Sequence, residues 1–336
     1  MSTATKLARL VVLGGLGALV ATSVHAGVLH DLAGEIRARL ATLRAAAAAV
    51  AVPATKVLPV KVQVTWKPQR LTPVFELGAP LLALGAGDLD GDGKAELYAV
   101  TTREVIAFSV TDHRVKELAR VSFLGDQAMP APRDPIGAVV VEGKVLVASS
   151  SAFTRTLRVS WHGPQLVGGA GEPGIEQCAG ERAQLASSRN YVGDDKTGSY
   201  ATRCREIIDA RGEREPVRGV LGLTGKLEVT RECPIGVKCE RPPVLVFAKV
   251  GTAFEIADLD RDGTAELIYA SANPPGDADD LRVVTLGGDD KQPTWRKAFT
   301  AGGVAGLAVG DFDGAPAVIA GVRLVGSTRV DLWRMN

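Results

Sequence analysis

The chain has 336 residues, of which 46% are hydrophobic and 23% are charged. This is the composition of a folded globular protein, and the length suits one large β domain or two ordinary domains. The net charge is +1, and no basic run with interleaved aromatic residues occurs, which excludes a nucleic-acid interface built on clustered positive charge.

Residues 1–26 have the pattern of a secretory signal peptide. Lys6 and Arg9 precede an apolar run at 10–24, and a small-residue cleavage site ends at Ala26. The run has 15 residues, which is short for a membrane span of about 20 residues. We therefore expect cleavage rather than a retained anchor, no membrane span in the mature chain, and a secreted or periplasmic location.

Export makes the cysteines candidates for disulfides, because an oxidising compartment favours their pairing. Three connectivities are possible, and the local one is preferred: Cys178 with Cys204, and Cys233 with Cys239. A zinc site is the competing interpretation. The spacings are not CxxC pairs and no histidine lies near them in the sequence, which disfavours zinc.

Residues 27–56 form an Ala-rich segment and linker ahead of the main domain. Within 30–52, Leu32, Ile36, Leu40 and Leu43 recur at helical spacing, which predicts one N-terminal α-helix that ends before Pro53. Such a helix either packs on the body or acts as a stalk; the alternative is that it docks a partner.

Residues 57–336 consist of short β-type runs separated by Gly, Pro and Asp, which is typical of a sandwich, a barrel or a propeller. Three segments share the order apolar strand, acidic loop, apolar strand: 82–100, 254–270 and 307–321. The spacing of their first aspartates, Asp88, Asp258 and Asp311, fits a repeat of 53 to 57 residues. This predicts an all-β propeller of about five or six four-stranded blades.

Two further features bear on the repeat, one in its support and one less regular. Trp66, Trp161 and Trp295 look like one recurring strand in the same phase. Residues 169–250 lack the acidic loop, and they suit either one distorted blade or two.

The two complete acidic loops are candidate calcium sites. Calcium takes six to eight oxygen ligands, and each loop offers aspartates at positions 1, 3 and 5, a glycine at position 6, a carbonyl at position 7 and a glutamate at position 9. In the first loop these are Asp88, Asp90, Asp92, Gly93, Lys94 and Glu96; in the second, Asp258, Asp260, Asp262, Gly263, Thr264 and Glu266.

Two other interpretations of these loops fit less well. An EF-hand needs an acidic residue at position 12 and flanking helices, whereas Ala99 and Tyr269 stand there within strand-like sequence. Asp-Gly turn chemistry explains a single Asp-Gly pair. It does not explain three alternate aspartates that occur twice in the same phase.

The pattern of strand, D-x-D-x-D-G-x-x-acid and strand resembles the FG-GAP/VCBS repeat, which is also found in the integrin α-subunit propeller. The resemblance implies that each repeat is a blade and that the loop between its first two strands binds calcium. Glu96 and Glu266 stand where that family usually has aspartate. The third loop is shorter, and we expect Asp311 and Asp313 to cap a turn without holding metal.

Calcium in such loops is expected to be structural, because the loop itself supplies most of the ligands. Candidate catalytic groups are sparse: His113 and His162 are isolated, and no G-x-S-x-G motif occurs. The remaining acidic pairs are expected in exposed turns, at Asp194-Asp195, Asp279-Asp280 and Asp289-Asp290.

The sequence therefore favours an exported, calcium-stabilised, non-catalytic propeller that binds a protein or a glycan. The alternative is an exported carbohydrate-active enzyme, a lyase or hydrolase, on the same scaffold. Aromatic residues make up only 5% of the chain, which disfavours a sugar-processing site. A third possibility is that the propeller presents the helix at 30–52.

Overall fold

The computed structural model describes residues 62–129, 135–173, 175–178, 181–183, 199–208, 214–222, 224–231, 245–273, 277–286, 292–324 and 327–336. The predicted signal peptide and the predicted helix at 30–52 lie outside these residues. Within the described ranges, no helix has the length and apolar character needed to cross a membrane.

Four blades are four-stranded antiparallel sheets in which consecutive strands are neighbours. Blade 1 contains β3 (Leu81–Gly87), β4 (Glu96–Thr101), β5 (Glu104–Thr111) and β6 (Arg114–Ser122). Blade 2 contains β7 (Gly137–Glu142), β8 (Val145–Ser150), β9 (Leu157–His162) and β10 (Gln165–Ala170). Blade 3 contains β13 (Ser199–Ile208), β14 (Arg214–Gly222), β15 (Leu227–Arg231) and β16 (Leu245–Phe247). Blade 4 contains β17 (Val250–Ala257), β18 (Glu266–Ser271), β19 (Asp279–Thr285) and β20 (Trp295–Phe299).

Blade 5 combines the two ends of the described chain. Three strands come from the C-terminal part: β21 (Gly302–Phe312), β22 (Ala315–Leu324) and β23 (Arg329–Met335). The fourth position is taken by β1 (Gln69–Arg70), which pairs with β23, as does β2 (Phe75–Glu76). An ion pair of 2.7 Å from Arg70 to Asp331 reinforces this closure.

The five blades form a closed ring, which confirms an all-β propeller and sets the blade number at five. The first strand of each blade packs on that of the next for β21 with β3, β3 with β7, β13 with β17, and β17 with β21. Between blades 2 and 3, β11 (Ile175–Cys178) contacts both β7 and β13, and it pairs with β12 (Glu181–Ala183). Between residues 169 and 250, the described part of the chain thus forms one blade and an added hairpin.

Apolar clusters fill the seams between blades, and they explain the runs of apolar residues in second strands such as β4 and β18. Both faces of such a strand pack against neighbouring blades, so its sequence does not alternate. In β4 every residue is buried. Leu84 and Phe108 of blade 1 join Phe312 of blade 5 in one cluster, while Tyr98 joins Val159 of blade 2 in another.

The prediction of one recurring tryptophan strand is wrong. Trp161 lies on β9, the third strand of its blade, whereas Trp295 opens β20, a fourth strand. Trp66 precedes β1 and belongs to no strand. The residue equivalent to Trp161 is Trp333 on β23, because both lie fifth in a third strand.

Candidate metal centre

The first acidic loop connects β3 to β4, the first two strands of blade 1. Four carboxylates converge there: each of Asp88, Asp90, Asp92 and Glu96 offers an oxygen, and these oxygens all lie within 4.8 Å of one another. The loop lies between two strands rather than two helices, in agreement with the rejection of an EF-hand.

Backbone N–H groups of the first loop hold its aspartates in place. Asp88 accepts hydrogen bonds from the N–H of Gly91 at 2.7 Å and of Gly93 at 2.9 Å. Asp90 accepts from the N–H of Asp92 at 3.0 Å, and Asp92 accepts from that of Lys94 at 2.8 Å. Each carboxylate oxygen has a second lone pair, so these bonds leave capacity for a cation.

The second loop, between β17 and β18, repeats this frame in blade 4. The N–H of Gly263 donates to Asp258 at 3.0 Å, and the N–H of Asp262 donates to Asp260 at 3.1 Å. The N–H of Thr264 donates to Asp262 at 2.8 Å. Oxygens of these three aspartates lie within 4.8 Å of one another. Two loops 170 residues apart in sequence therefore share one hydrogen-bond pattern.

Positions 4 and 6 of both loops adopt left-handed backbone conformations. Gly91 and Gly93 have φ of 85° and 88°, while Arg261 and Gly263 have φ of 58° and 86°. The glycine at position 6 was expected from the sequence, whereas the left-handed position 4 was not. Because Arg261 carries a side chain, this conformation costs about 1 kcal/mol or more at that residue.

The glutamates at position 9 face into the protein from the first residue of the second strand. Glu96 Oε2 accepts from the N–H of Leu89 at 3.2 Å, and Glu266 Oε2 accepts from that of Leu259 at 3.0 Å. Each glutamate thereby ties position 9 to position 2. Glu266 lies outside the group of three converging aspartates, whereas Glu96 belongs to its group of four.

The two glutamates differ in their second partner. Tyr98 donates its hydroxyl to Glu96 Oε2 at 2.8 Å and accepts from Trp161 Nε1 at 3.0 Å, which links the first loop to blade 2. Burial raises the pKa of Glu96, and the Tyr98 bond opposes the rise. Ile268 occupies the position equivalent to Tyr98, and burial raises the pKa of Glu266 to about 8.

The third loop is a tight turn. Asp313 and Gly314 have φ of 54° and 79°, as in the two-residue turns that close antiparallel hairpins. Asp311 accepts two contacts of 3.2 Å from Arg261 of the second loop, and its carbonyl accepts from the N–H of Ala95 in the first. Asp311 therefore joins both acidic loops. Capping by Asp313 stays a prediction.

The donor set fits a hard cation such as calcium, which prefers carboxylate and carbonyl oxygens. In the described residues, clusters of three or more metal-ligating side chains occur at these two loops. Metal binding itself stays a prediction, and so do the roles of the Lys94 and Thr264 carbonyls.

The expectation of an exposed turn at Asp279-Asp280 is wrong. Both residues begin β19 and are buried. Asp279 accepts hydrogen bonds from the N–H groups of Ser271, Asp280 and, across the seam with blade 5, Val304. The carboxylate thus ties two blades together. The pairs at Asp194 and Asp289 lie outside the described residues.

The remaining candidate residues are the histidines and the cysteines, and those described lie on strands or in the turns between them. His113 Nδ1 lies 2.6 Å from Gln69 Nε2, so the β5–β6 turn contacts the closing strand. His162 ends β9. Cys178 ends β11 and Cys204 lies on β13, while Cys233 and Cys239 lie outside the described residues. The disulfide pairing stays a prediction.

Compared with known protein families and with curated proteins, the chain matches none. Among solved structures, Saccharomyces cerevisiae core factor is 9% identical with a TM-score of 0.29, covering 77% of this chain and 47% of that chain. The Myceliophthora thermophila Cps50 (Swd1) β-propeller domain is 11% identical with a TM-score of 0.21, covering 80% of this chain and 100% of that chain. The chain spans about half the length of the core factor chain it matches. At these TM-scores the likeness adds nothing to the fold assignment, which rests on the strand pairing.

Proposed function

We propose that the chain is an exported, calcium-stabilised, non-catalytic propeller of the FG-GAP/VCBS type that binds a protein or glycan partner. The observation that supports it best is the repeated loop frame. The same four N–H-to-carboxylate bonds, from positions 2, 5, 6 and 7, occur in blades 1 and 4, with the aspartate oxygens facing one another.

In the first loop, Asp88, Asp90, Asp92 and Glu96 would hold the cation with the Lys94 carbonyl. In the second, Asp258, Asp260 and Asp262 would hold it with the Thr264 carbonyl, and Glu266 would contribute directly or through water. A bound calcium ion would supply positive charge where several carboxylates repel one another. The loops would then act as clips between the first two strands of their blades.

A binding role suits the scaffold, because propellers present loops at the ends of a rigid ring. Export is proposed from residues 1–26 and from the cysteines. The packing of β11, which ends at Cys178, against β13, which carries Cys204, supports the local pairing.

Calcium titration calorimetry and thermal melts of the purified chain test the proposal, with Asp90→Ala and Asp260→Ala as variants. At a calcium concentration one hundred times the dissociation constant, each site adds about 2.7 kcal/mol to the free energy of unfolding. Each variant should remove one site's share, whereas Asp126→Ala, an exposed aspartate outside the loops, should remove none. Equal melting temperatures with calcium and with chelator would contradict the proposal.

A further inference from the structure

Three of the four tryptophans of the chain meet at the outer seam between blades 4 and 5. Trp295 opens β20, Trp333 lies on β23, and Trp66 lies in the segment that precedes β1. All three are partly exposed. Together with Lys297 and the buried Phe299, they are called the tryptophan seam below.

The rings of the seam form two contacting pairs, and a cation lies over one of the pairs. The centroids of Trp66 and Trp295 are 5.8 Å apart with an interplanar angle of 32°, and those of Phe299 and Trp333 are 5.7 Å apart. Lys297 Nζ lies 4.8 Å from the centroid of Trp333 and 5.7 Å from that of Phe299. These distances suit a cation–π contact.

The chain adopts an uncommon conformation to place Trp66 in the seam. Its φ is 51°, a value that costs a residue with a side chain about 1 kcal/mol or more. The segment just before Trp66 is held by two residues: Val62 N–H donates to the Asp260 carbonyl at 2.7 Å, and Thr65 donates to the Asn336 carbonyl through its N–H and its hydroxyl. Such strain is retained where surrounding contacts enforce it, and it points to a functional position.

The polar groups of the seam are donors without partners in the described part of the chain. Trp161 Nε1 donates to Tyr98, whereas no acceptor among the described residues takes the indole N–H of Trp66, Trp295 or Trp333. Arg296 pairs with Asp280 at 2.5 Å, but the neighbouring Lys297 has no carboxylate partner among the described residues. Within the described ranges, the seam therefore offers ring faces, N–H donors and a positive charge with no carboxylate partner.

We propose that the tryptophan seam binds an acidic glycan, a carbohydrate that carries carboxylates such as those of uronic acids. The apolar C–H face of a sugar ring packs on an indole, its oxygens accept from the indole N–H groups, and its carboxylate pairs with Lys297. An acidic peptide would supply the charge, but it would not present the apolar C–H face of a sugar ring to the indoles of the seam. This inference names the partner of the proposed binding function and rests on it, but it does not depend on the calcium loops.

Titration of the full chain with three probes tests the inference, with intrinsic tryptophan fluorescence as the readout. The probes are hexagalacturonate, its fully methyl-esterified form and poly-glutamate. Because galacturonate itself binds calcium, each titration is run in sodium buffer with chelator and again at a fixed calcium concentration. We expect hexagalacturonate to bind, and its methyl ester to bind about tenfold more weakly, since one charge-assisted contact is lost.

Variants separate the seam from the rest of the surface. Lys297→Gln should weaken hexagalacturonate about tenfold and leave the methyl ester unchanged. Lys116→Gln, an exposed lysine on the fourth strand of blade 1, is the matched control and should change neither. Trp295→Ala should abolish binding, while Trp295→Phe, which keeps a ring in the seam, should retain part of it. Circular dichroism melts establish that each variant folds.

Each other outcome has a definite meaning. If poly-glutamate binds as tightly as hexagalacturonate, the seam recognises acidic protein segments and the glycan inference is wrong. If no probe binds, or if Lys297→Gln has no effect, the inference is also wrong, while calcium stabilisation is judged separately by the thermal melts. If the oligosaccharide binds at the seam and is shortened, the seam assignment stands and the non-catalytic function fails.

Discussion

Glu266 allows the electrostatic environment of the second loop to be tested in the absence of calcium. The residue is 7% exposed, and burial raises the pKa of its carboxyl from the ordinary 4.5 to about 8. The charges of Asp260, Asp258 and Asp262 act in the same direction, while the hydrogen bond from Leu259 opposes them. The perturbation is Glu266→Gln, which keeps the shape of the side chain and cannot ionise.

The sign of the effect follows from the difference in bound protons. Between pH 4.5 and 8, folded Glu266 retains a proton that the unfolded chain releases, so the free energy of unfolding falls as the pH rises through this window. Each pH unit within this window lowers the free energy of unfolding by about 1.4 kcal/mol. A shift from 4.5 to about 8 therefore corresponds to a loss of at most roughly 5 kcal/mol, complete above pH 8.

Urea denaturation at a series of pH values from about 5 to 9, with chelator present, measures this loss. The difference between Glu266→Gln and the unmodified chain cancels the contribution of every group that titrates alike in both. We expect the variant to gain stability relative to the unmodified chain as the pH rises, and saturating calcium to reduce the gain. Glu172→Gln, at an exposed glutamate, is the control. Parallel pH profiles for the unmodified chain and Glu266→Gln would refute the reasoning.

Three further substitutions are tested by the same denaturation method. Gly93→Ala should cost about 1–2 kcal/mol through its left-handed backbone alone, because no atom of the described residues lies within 4 Å of the added methyl group. Gly125→Ala, equally open but without positive φ, should cost almost nothing, and equal costs would contradict this. Asp279→Asn should cost about 1–3 kcal/mol, since an amide cannot accept all three N–H bonds, one of which crosses the seam from Val304. Tyr98→Phe should cost a similar amount, because it removes the hydroxyl that donates to Glu96, and an unchanged stability would show that water replaces it.

The acidic loops were predictable because the residues that define them lie close together in the sequence. Alternate aspartates, a glycine at position 6 and a glutamate at position 9 lie within nine residues, and the structure brings their carboxylates together in blade 1. A further local signal was overlooked: both loops have leucine at position 2, and Leu89 and Leu259 are buried under their loops. The left-handed Arg261 was not predictable, since glycine holds the same position in the first loop.

The closure of the ring was not predictable from the sequence, because it depends on pairing across the whole chain. The closing strand β1 has only two residues, and its partner β23 lies more than 250 residues further on. Strands this short carry no periodicity. Asp279 was misassigned for a related reason: its three N–H donors come from two blades, and the local sequence resembles an ordinary acidic turn.

The contacts of the two acidic loops reach beyond their own blades. The second loop holds the segment before β1 through the Asp260 carbonyl, and Arg261 contacts Asp311 in blade 5. The first loop reaches blade 5 through Ala95 and, by way of Tyr98, blade 2. Order in the loops is therefore transmitted to the seams between blades 4 and 5, 5 and 1, and 1 and 2.

Blade 3 takes no part in this set of contacts. It is joined to blade 4 by ion pairs to a buried glutamate instead. Arg203 and Arg205 of β13 both pair with the buried Glu255 of β17, at 2.9 Å and 3.0 Å, and Arg203 also lies over the ring of Phe254. Glu255 is the shared counter-ion of both arginines, so removing it would leave two like charges side by side, one of them buried, and would be strongly destabilising. The ring is thus held by acidic loops on one side and by an arginine pair on the other, and only the acidic loops offer a place for a cation to add stability.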